Sequence, residues 1–256
     1  MTNAYEQTSF LTDLSVQPTP NRRSYFTQGN VTYLDNYPPT ANTHGPSKEV
    51  YAFKDPADLQ RMQQFLLTNG SYKRMRLRNW LFFTLGINLG FRVSDLCRLQ
   101  WQNIYKPHTD TFNLAEWNYL METKTGKKRP VVINPAAQRA VTYYMQQLGI
   151  DPATVNPDDY VFWSNKRSYL HLQPDSIHDI LKRAARALQI PFNVGTHSMR
   201  KTFGYMLYKA TGNNIGIVQK LLNHTDSNTT LRYIGIDYES TKDAYATLPD
   251  MVWTPN

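Results

Sequence analysis

The chain has few of the features that mark exported, disulfide-bonded or membrane-spanning proteins. Its 256 residues include a single cysteine, Cys97, so an internal disulfide is impossible and a reducing compartment fits best. No run of roughly 18 apolar residues, the length that spans a bilayer, appears. The first ten residues lack the basic and apolar regions of a signal peptide. These absences predict a soluble, cytoplasmic protein.

Acidic residues are also scarce. Asp and Glu number 20 against 28 Lys and Arg, which leaves a formal net charge of +8 at pH 7. Such an excess favours a polyanionic partner, and nucleic acid is the commonest one, although many basic proteins bind none. A hydrophobic content of 41% with 13% aromatic residues is typical of a folded globular protein with a sizeable core.

Residues 195–233 concentrate several ionisable side chains. His197 and Arg200 are three apart in a segment with helical apolar spacing, so they share one helix face. A second helical segment ends near His224, and Tyr233 follows in a polar segment that can start another helix. The whole stretch holds one carboxylate, which is too little for a metal site, so we predict no metal.

Composition divides the chain into three regions. Residues 1–48 are rich in Thr, Asn, Pro and Tyr without a helical or strand period, which predicts an extended or partly disordered arm. Residues 49–236 carry the periodic patterns of a folded domain, and residues 237–256 form a tail with a helical pattern over 238–248. Helices are predicted from Pro56 to Gly70, from Tyr72 to Leu89, from Pro135 to Gly149 and after a cap at Asp175.

A basic hairpin is predicted where two strand-like patterns, residues 111–122 and 130–134, flank the sequence KTGKKR with Gly126 at its tip. Upstream, Arg92 lies at a helix junction with Asp95 three residues later, a spacing at which the acid can hold the arginine rigidly. Two basic clusters, on the second helix and on the hairpin, predict DNA contacts, with a solvated surface as the alternative. Their members are Lys73, Arg74, Arg76, Lys127, Lys128 and Arg129.

Taken in order, these residues resemble the tyrosine recombinase family, also called the phage integrase family. Four motifs carry the likeness over about residues 50–236: GFRVSDL matches G-x-R-x-S-E/D-L, KTGKKR matches a K-T-G-K-like turn, HSMR matches H-x-x-R, and LLNHTDSNTTLRY matches a histidine followed by T-T-x-x-Y. Two positions depart from the family pattern, because Asn223 stands where glycine is usual and Lys201 where histidine is frequent. The family's catalytic positions correspond to Arg92, Lys124, His197, Arg200, His224 and Tyr233.

The resemblance implies a mixed α+β fold, mainly α-helical, in which residues 49–236 form the catalytic domain with a small antiparallel β-hairpin. Residues 1–48 are too short and too rich in proline for the core-binding domain that usually precedes it in family integrases. The tail over residues 237–256 is expected to dock on a neighbouring protomer, with packing on its own chain as the alternative.

The resemblance also implies a site-specific DNA recombinase that cleaves and rejoins strands through a 3′-phosphotyrosine intermediate. Tyr233 is the implied nucleophile, His197 the base for its phenol, and Lys124 the acid for the leaving 5′-oxygen. The remaining residues of the set, Arg92, Arg200 and His224, are implied to bind the phosphate. Asp95 is implied to support Arg92.

Double-stranded DNA is the implied partner, bound by a homotetramer in the nucleoid, with an accessory DNA-bending or DNA-binding protein as a candidate helper. Neither a cofactor nor a metal nor ATP is implied. Two alternatives stay open at this stage. One is nicking and resealing of the type IB topoisomerase kind, and the other is a non-cleaving DNA-binding regulator on the same scaffold.

Overall fold

The computed structural model describes residues 25–28, 31–34, 49–106, 111–112, 114–164 and 170–236. The chain divides into two compact units, Met1–Thr43 and His44–Asn256. In the first unit, strands β1 (Tyr25–Gln28) and β2 (Val31–Leu34) pair in antiparallel fashion. This pairing was not expected from a segment without a strand period. The predicted helix over residues 238–248 lies outside the described residues.

The second unit is mainly helical in its described part, with two small antiparallel strand pairs. This confirms the predicted fold class. No helix in the described ranges is both long and apolar enough to cross a lipid bilayer. The helices are α1 (Pro56–Thr68), α2 (Lys73–Leu89), α3 (Val93–Cys97), α4 (Trp101–Ile104), α5 (Pro135–Leu148), α6 (Pro174–Ala187), α7 (Thr196–Ala210), α8 (Ile215–Leu222) and α9 (Ser227–Ile234), and the strand pairs are β3 (Tyr105–Lys106) with β4 (Thr111–Phe112) and β5 (Leu114–Met121) with β6 (Lys128–Val132).

Local capping signals fix most of the helix ends. The Asp55 side chain accepts a hydrogen bond from the backbone N–H of Ala57 at the start of α1, as the sequence predicted. At α6 the predicted cap is wrong, because the helix begins at Pro174 and Asp175 lies in its first turn. Proline lacks an N–H and has φ already near the helical value, so it occupies the first helical position itself.

Helix α2 is the centre of the second unit, and residues 81–86 are all buried. It packs against α1, α5 and α7. The approach to α7 is close, because a Cβ on Gly86 would lie 2.5 Å from the sulfur of Met199 and a Cβ on Gly90 would collide with the ring of Phe203. Gly90 also ends α2 with φ at +60°, a conformation that glycine adopts readily. The chain after α2 is therefore held against the first turns of α7.

Helices α7, α8 and α9 share a small core formed by Val218, Leu222, Ile234 and Ile236. The segment before α1 lies across the same helices. The backbone N–H of Phe53 donates to Thr202 Oγ1 at 2.8 Å, and Lys54 Nζ donates to the Gly235 carbonyl at 2.9 Å, just beyond the end of α9. These contacts fix the position of α9, which carries Tyr233 in its last turn.

Candidate active site

The four polar residues of the 195–233 stretch meet at one place in the structure. The Nδ1 atom of His197, in the first turn of α7, lies 3.3 Å from the phenol oxygen of Tyr233. The His224 ring packs edge-on against the Tyr233 ring with centroids 5.0 Å apart. The charge of Arg200 acts on the Tyr233 phenol and opposes the effect of burial on its pKa. A phenol, two imidazoles and a guanidinium therefore form one cluster.

Arg200 is buried and ties three elements together. Its Nη1 donates to the Gly90 carbonyl and its Nη2 to the Leu222 carbonyl, each at 2.6 Å. These carbonyls lie at the ends of α2 and α8, where the last carbonyls of a helix have no partner within the helix, and the bonds from Arg200 help to satisfy them. A guanidinium carries more N–H donors than these two carbonyls use. Arg200 can therefore hold the scaffold and still donate to an anion.

Arg129 was predicted to contact DNA, and the structure contradicts this. Its side chain is buried, with Nη1 donating to the Gly90 carbonyl and Nη2 to the Leu89 carbonyl, both at 2.8 Å. The guanidinium lies 4.3 Å from the centroid of the Phe91 ring. Burial, followed by the charge of Arg200, lowers the pKa of Arg129 to about 9. The cause is strand alternation: residues of β6 are exposed and buried in turn, and Arg129 falls on the inner face.

Arg92 caps α3 and forms its ion pair with Glu122, whose Oε2 lies 2.6 Å from Nη1. The sequence predicted Asp95 as its partner, and the structure corrects this. Asp95 is buried and accepts instead from the backbone N–H and the hydroxyl of Thr123, at 2.8 and 2.7 Å, and pairs with Arg98 at 3.4 Å. Asp95 therefore anchors the start of the hairpin turn rather than the arginine.

Glu122 is the residue that sequence reasoning missed. Its side chain has no exposed surface, and Oε2 also accepts from Thr125 Oγ1 at 2.6 Å and from Asn223 Nδ2 at 3.0 Å. Burial alone would raise the pKa of Glu122, but hydrogen bonds from Thr125 and Asn223 and the ion pair with Arg92 lower it to about 2. The available signal was its place, since it is the single acid directly before the basic turn.

Lys124 lies in the turn between β5 and β6 with its side chain exposed, as do Lys127 and Lys128 on the same hairpin. Its positive charge is among those that lower the pKa of His197.

The three basic residues predicted to contact DNA from α2 lie in different environments. Lys73 is exposed, Arg74 stacks 4.5 Å from the centroid of the Trp163 ring, and Arg76 donates to the Gly70 carbonyl at 2.6 Å.

Lys201 is a second site residue that the motif match did not assign. It is buried beside the cluster, with Nζ 3.0 Å from a Glu49 carboxylate oxygen and 5.4 Å from the centroid of the Tyr233 ring. A cation over the ring face is attracted by its quadrupole. The ion pair thus connects the segment before α1 to the aromatic ring of the cluster.

Burial and positive charge set the protonation of the cluster. Burial raises the pKa of Tyr233, although Arg200 and Arg92 act against it. Burial, followed by the charge of Arg200, lowers the pKa values of both His197 and His224. Near neutral pH a protonated phenol therefore faces an uncharged imidazole across 3.3 Å, which is a pair suited to proton transfer.

The second imidazole is oriented by a hydroxyl. Thr230 donates its hydroxyl hydrogen to the Asp226 carbonyl at 2.8 Å, so the 3.2 Å contact between Thr230 Oγ1 and His224 Nδ1 requires the ring nitrogen to donate. The other ring nitrogen, Nε2, then donates only when the imidazole is protonated. An anion bound in the cluster would favour that protonated form.

Among the described residues, no three His, Cys, Asp or Glu side chains are grouped so as to hold a metal ion.

The part of the chain that contains these site residues is similar to known proteins. Residues 55–240 match the family model described as phage integrase family. A probable integrase/recombinase of Bacillus subtilis (strain 168) is 31% identical over 188 residues, covering 73% of this chain and 90% of that protein. A tyrosine recombinase of Pseudothermotoga lettingae is 25% identical over 224 residues, covering 87% and 70%.

A solved structure of the XerH site-specific recombinase, bound to its palindromic difH substrate after cleavage, has the same fold. It matches with a TM-score of 0.60 at 17% identity, covering 85% of this chain. The match covers 58% of that recombinase, so this chain spans less than two thirds of its length.

Proposed function

This chain belongs to the phage integrase family, and we propose that it is a site-specific recombinase that cuts and rejoins duplex DNA through Tyr233. The observation that carries the proposal is the 3.3 Å contact between the Tyr233 phenol and His197 beside the buried guanidinium of Arg200. It supports the proposal because the phenol can act as a nucleophile, the imidazole can accept its proton and the guanidinium can bind an anion.

The proposed reaction is a transesterification. The Tyr233 oxygen attacks the phosphorus of one strand, its proton passes to His197, and the bond from phosphorus to the 5′-oxygen breaks. The products are a 3′-phosphotyrosine and a 5′-hydroxyl, once Lys124 gives a proton to the leaving oxygen. A 5′-hydroxyl from another strand reverses the step, and because the covalent link conserves the bond energy, no ATP is needed.

Positive charge stabilises the transition state. Arg92 and Arg200 would donate charge-assisted hydrogen bonds to the non-bridging oxygens of the phosphate. Such bonds are stronger than hydrogen bonds between neutral groups. Protonated His224 would add a further donor. The ion pair with Glu122 neutralises part of the charge of Arg92 and fixes its direction. Arg92 is thereby positioned before the phosphate arrives, which lowers the cost of ordering it.

Duplex DNA is the proposed partner, in the nucleoid of the cytoplasm, with four copies assembled on it. The exposed Lys73, Lys127 and Lys128 are proposed to contact phosphates, because lysines on a surface act mainly as sequence-independent point charges. The proposal also includes docking of the tail over residues 237–256 on a neighbouring protomer. It further includes an accessory DNA-bending or DNA-binding protein.

The experiment that tests the function uses a nicked duplex from which a short 5′-hydroxyl fragment diffuses away after cleavage. The duplexes carry inverted repeats taken from the DNA that flanks the gene. We expect a covalent protein–DNA adduct whose modified peptide contains Tyr233. Absence of any adduct would overturn the proposal, and relaxation of supercoiled plasmid without recombinant product would indicate nicking and resealing instead.

The pH dependence of cleavage follows from His197. Its pKa is lowered from 6.5 by burial and by the charges of Arg200 and Lys201, so the base is neutral at pH 7 and becomes protonated only as the pH falls through the lowered value. The apparent second-order cleavage rate at subsaturating DNA is therefore expected to fall only below pH 6.5. A midpoint above pH 7, or the same acidic fall in His197→Ala, would contradict this role. DNA binding measured at each pH controls for changes in affinity.

A further inference from the structure

Asn223 makes side-chain contacts that the usual glycine of the family could not make. It ends α8 in the left-handed conformation, with φ at 53°, directly before His224. Its Nδ2 donates to Glu122 Oε2 at 3.0 Å, and its Oδ1 accepts from Lys127 Nζ at 3.4 Å. One asparagine therefore contacts both ends of the turn that carries Lys124.

The stronger of these contacts is with a fixed anion. Glu122 is buried, keeps its charge because its pKa is about 2, and also accepts from Thr125 within the turn. A hydrogen bond to a carboxylate is stronger than one between neutral groups. The turn itself is closed by backbone bonds, from Gly126 N–H to the Glu122 carbonyl at 2.9 Å and from Glu122 N–H to the Lys127 carbonyl at 3.0 Å.

Three groups of the site converge on the same carboxylate: Arg92 through its ion pair, the Lys124 turn through Thr125, and the end of α8 next to His224 through Asn223. Without Asn223, Glu122 would still hold Arg92 and its own turn. The link that would be lost is the one between the turn and α8. The Lys124 side chain is exposed, so the position of its ammonium depends mainly on the position of the turn. The link between the turn and α8 restricts that position.

We propose that Asn223 is a positioning residue that closes the hairpin turn onto the end of α8 and thereby holds Lys124 at the leaving 5′-oxygen. This inference rests on the proposed function. Asn223 would act through Lys124 rather than on the DNA itself. Its removal should therefore impair protonation of the leaving group and leave phosphate binding by Arg92 and Arg200 intact.

The test is single-turnover cleavage by Asn223→Gly on two substrates. Glycine adopts the left-handed conformation without strain, so the substitution removes only the side chain. One substrate is the ordinary phosphodiester, and the other carries sulfur in place of the bridging 5′-oxygen. A thiolate is a good leaving group that needs no proton, so the sulfur substrate bypasses the acid. We expect a loss of about tenfold to a hundredfold on the ordinary substrate, and recovery to within about twofold of wild type on the sulfur substrate, as for Lys124→Ala.

A matched control is Asn213→Gly, since Asn213 also has the left-handed conformation, with φ at 66°, but is exposed in the connection between α7 and α8. It should cleave both substrates at the wild-type rate. An unchanged rate for Asn223→Gly on the ordinary substrate, or an equal loss on both substrates, would overturn the proposal.

Amide hydrogen exchange separates this proposal from the proposed function. In Asn223→Gly the amides of Glu122 and Gly126 should exchange at least about fivefold faster, while those of α2 are unchanged. If wild type forms no adduct on either substrate, the recombinase function fails, and the exchange rates still decide whether Asn223 holds the turn. Unchanged exchange at the turn would show that it does not.

Discussion

Replacing Tyr233 by phenylalanine is expected to abolish the covalent adduct with DNA, with a loss of at least about 10⁴-fold in cleavage, because removal of a nucleophile leaves only binding and transition-state electrostatics. The ring itself should stay in place, since it packs on the core of α7, α8 and α9 and beneath Lys201. Adduct formation on the nicked duplex and affinity for the same DNA measure the two effects separately.

Affinity for DNA should stay within about threefold of wild type in this variant, because the removed hydroxyl contacts His197 rather than the scaffold. Tyr238→Phe is the matched control, as Tyr238 is the nearest other tyrosine along the chain and lies outside the T-T-x-x-Y motif. It should form the adduct normally. An adduct that survives in Tyr233→Phe and disappears in Tyr238→Phe would assign the nucleophile to Tyr238.

Substituting lysine for Arg200 is expected to reduce cleavage by about 10²–10³-fold, the effect of removing one donor from a transition-state anion site. It should also lower the free energy of unfolding by about 2–3 kcal/mol. A lysine cannot reach the Gly90 and Leu222 carbonyls together, and one hydrogen bond to a charged donor contributes about 1.5–3 kcal/mol. Denaturant unfolding and single-turnover cleavage measure these losses on the same sample.

The Arg129→Lys variant shows how much of the cleavage lost in Arg200→Lys comes from lower stability and how much from the loss of a phosphate-binding group. Arg129 donates to the same Gly90 carbonyl but lies on the Phe91 ring. Its substitution should destabilise the fold by a similar amount and reduce cleavage by less than about tenfold. If both variants instead lose cleavage in proportion to stability, Arg200 is a structural tie and the phosphate-binding role is wrong.

Local signals in the sequence predicted most of the helices and the main hairpin. Asp55 followed by proline, Gly90 after a long apolar pattern and Gly126 in a basic turn each act within a few residues of themselves, so their effects can be read without the fold. The family motifs named the polar groups that meet at Tyr233. Spacing also placed His197 and Arg200 on one helix.

Long-range pairing could not be predicted in the same way. Asp95 is three residues from Arg92, yet the buried carboxylate that pairs with Arg92 comes from Glu122, in another element. A spacing of three brings two side chains to the same helix face only within a helix, and Arg92 precedes α3 as its cap. The misassignment of Arg129 has a similar cause, because the inner face of a short strand depends on what packs against it.

The carbonyl of Gly90 joins parts of the chain that are far apart in sequence. It accepts from Arg129, 39 residues away, and from Arg200, 110 residues away. Contacts between residues so far apart in the chain require long loops to close, which has an entropic cost. A partly unfolded copy that has not made these contacts does not hold Arg200 at the end of α2. Under the proposed function, we therefore expect a partly unfolded copy to cleave DNA more slowly than the folded protein.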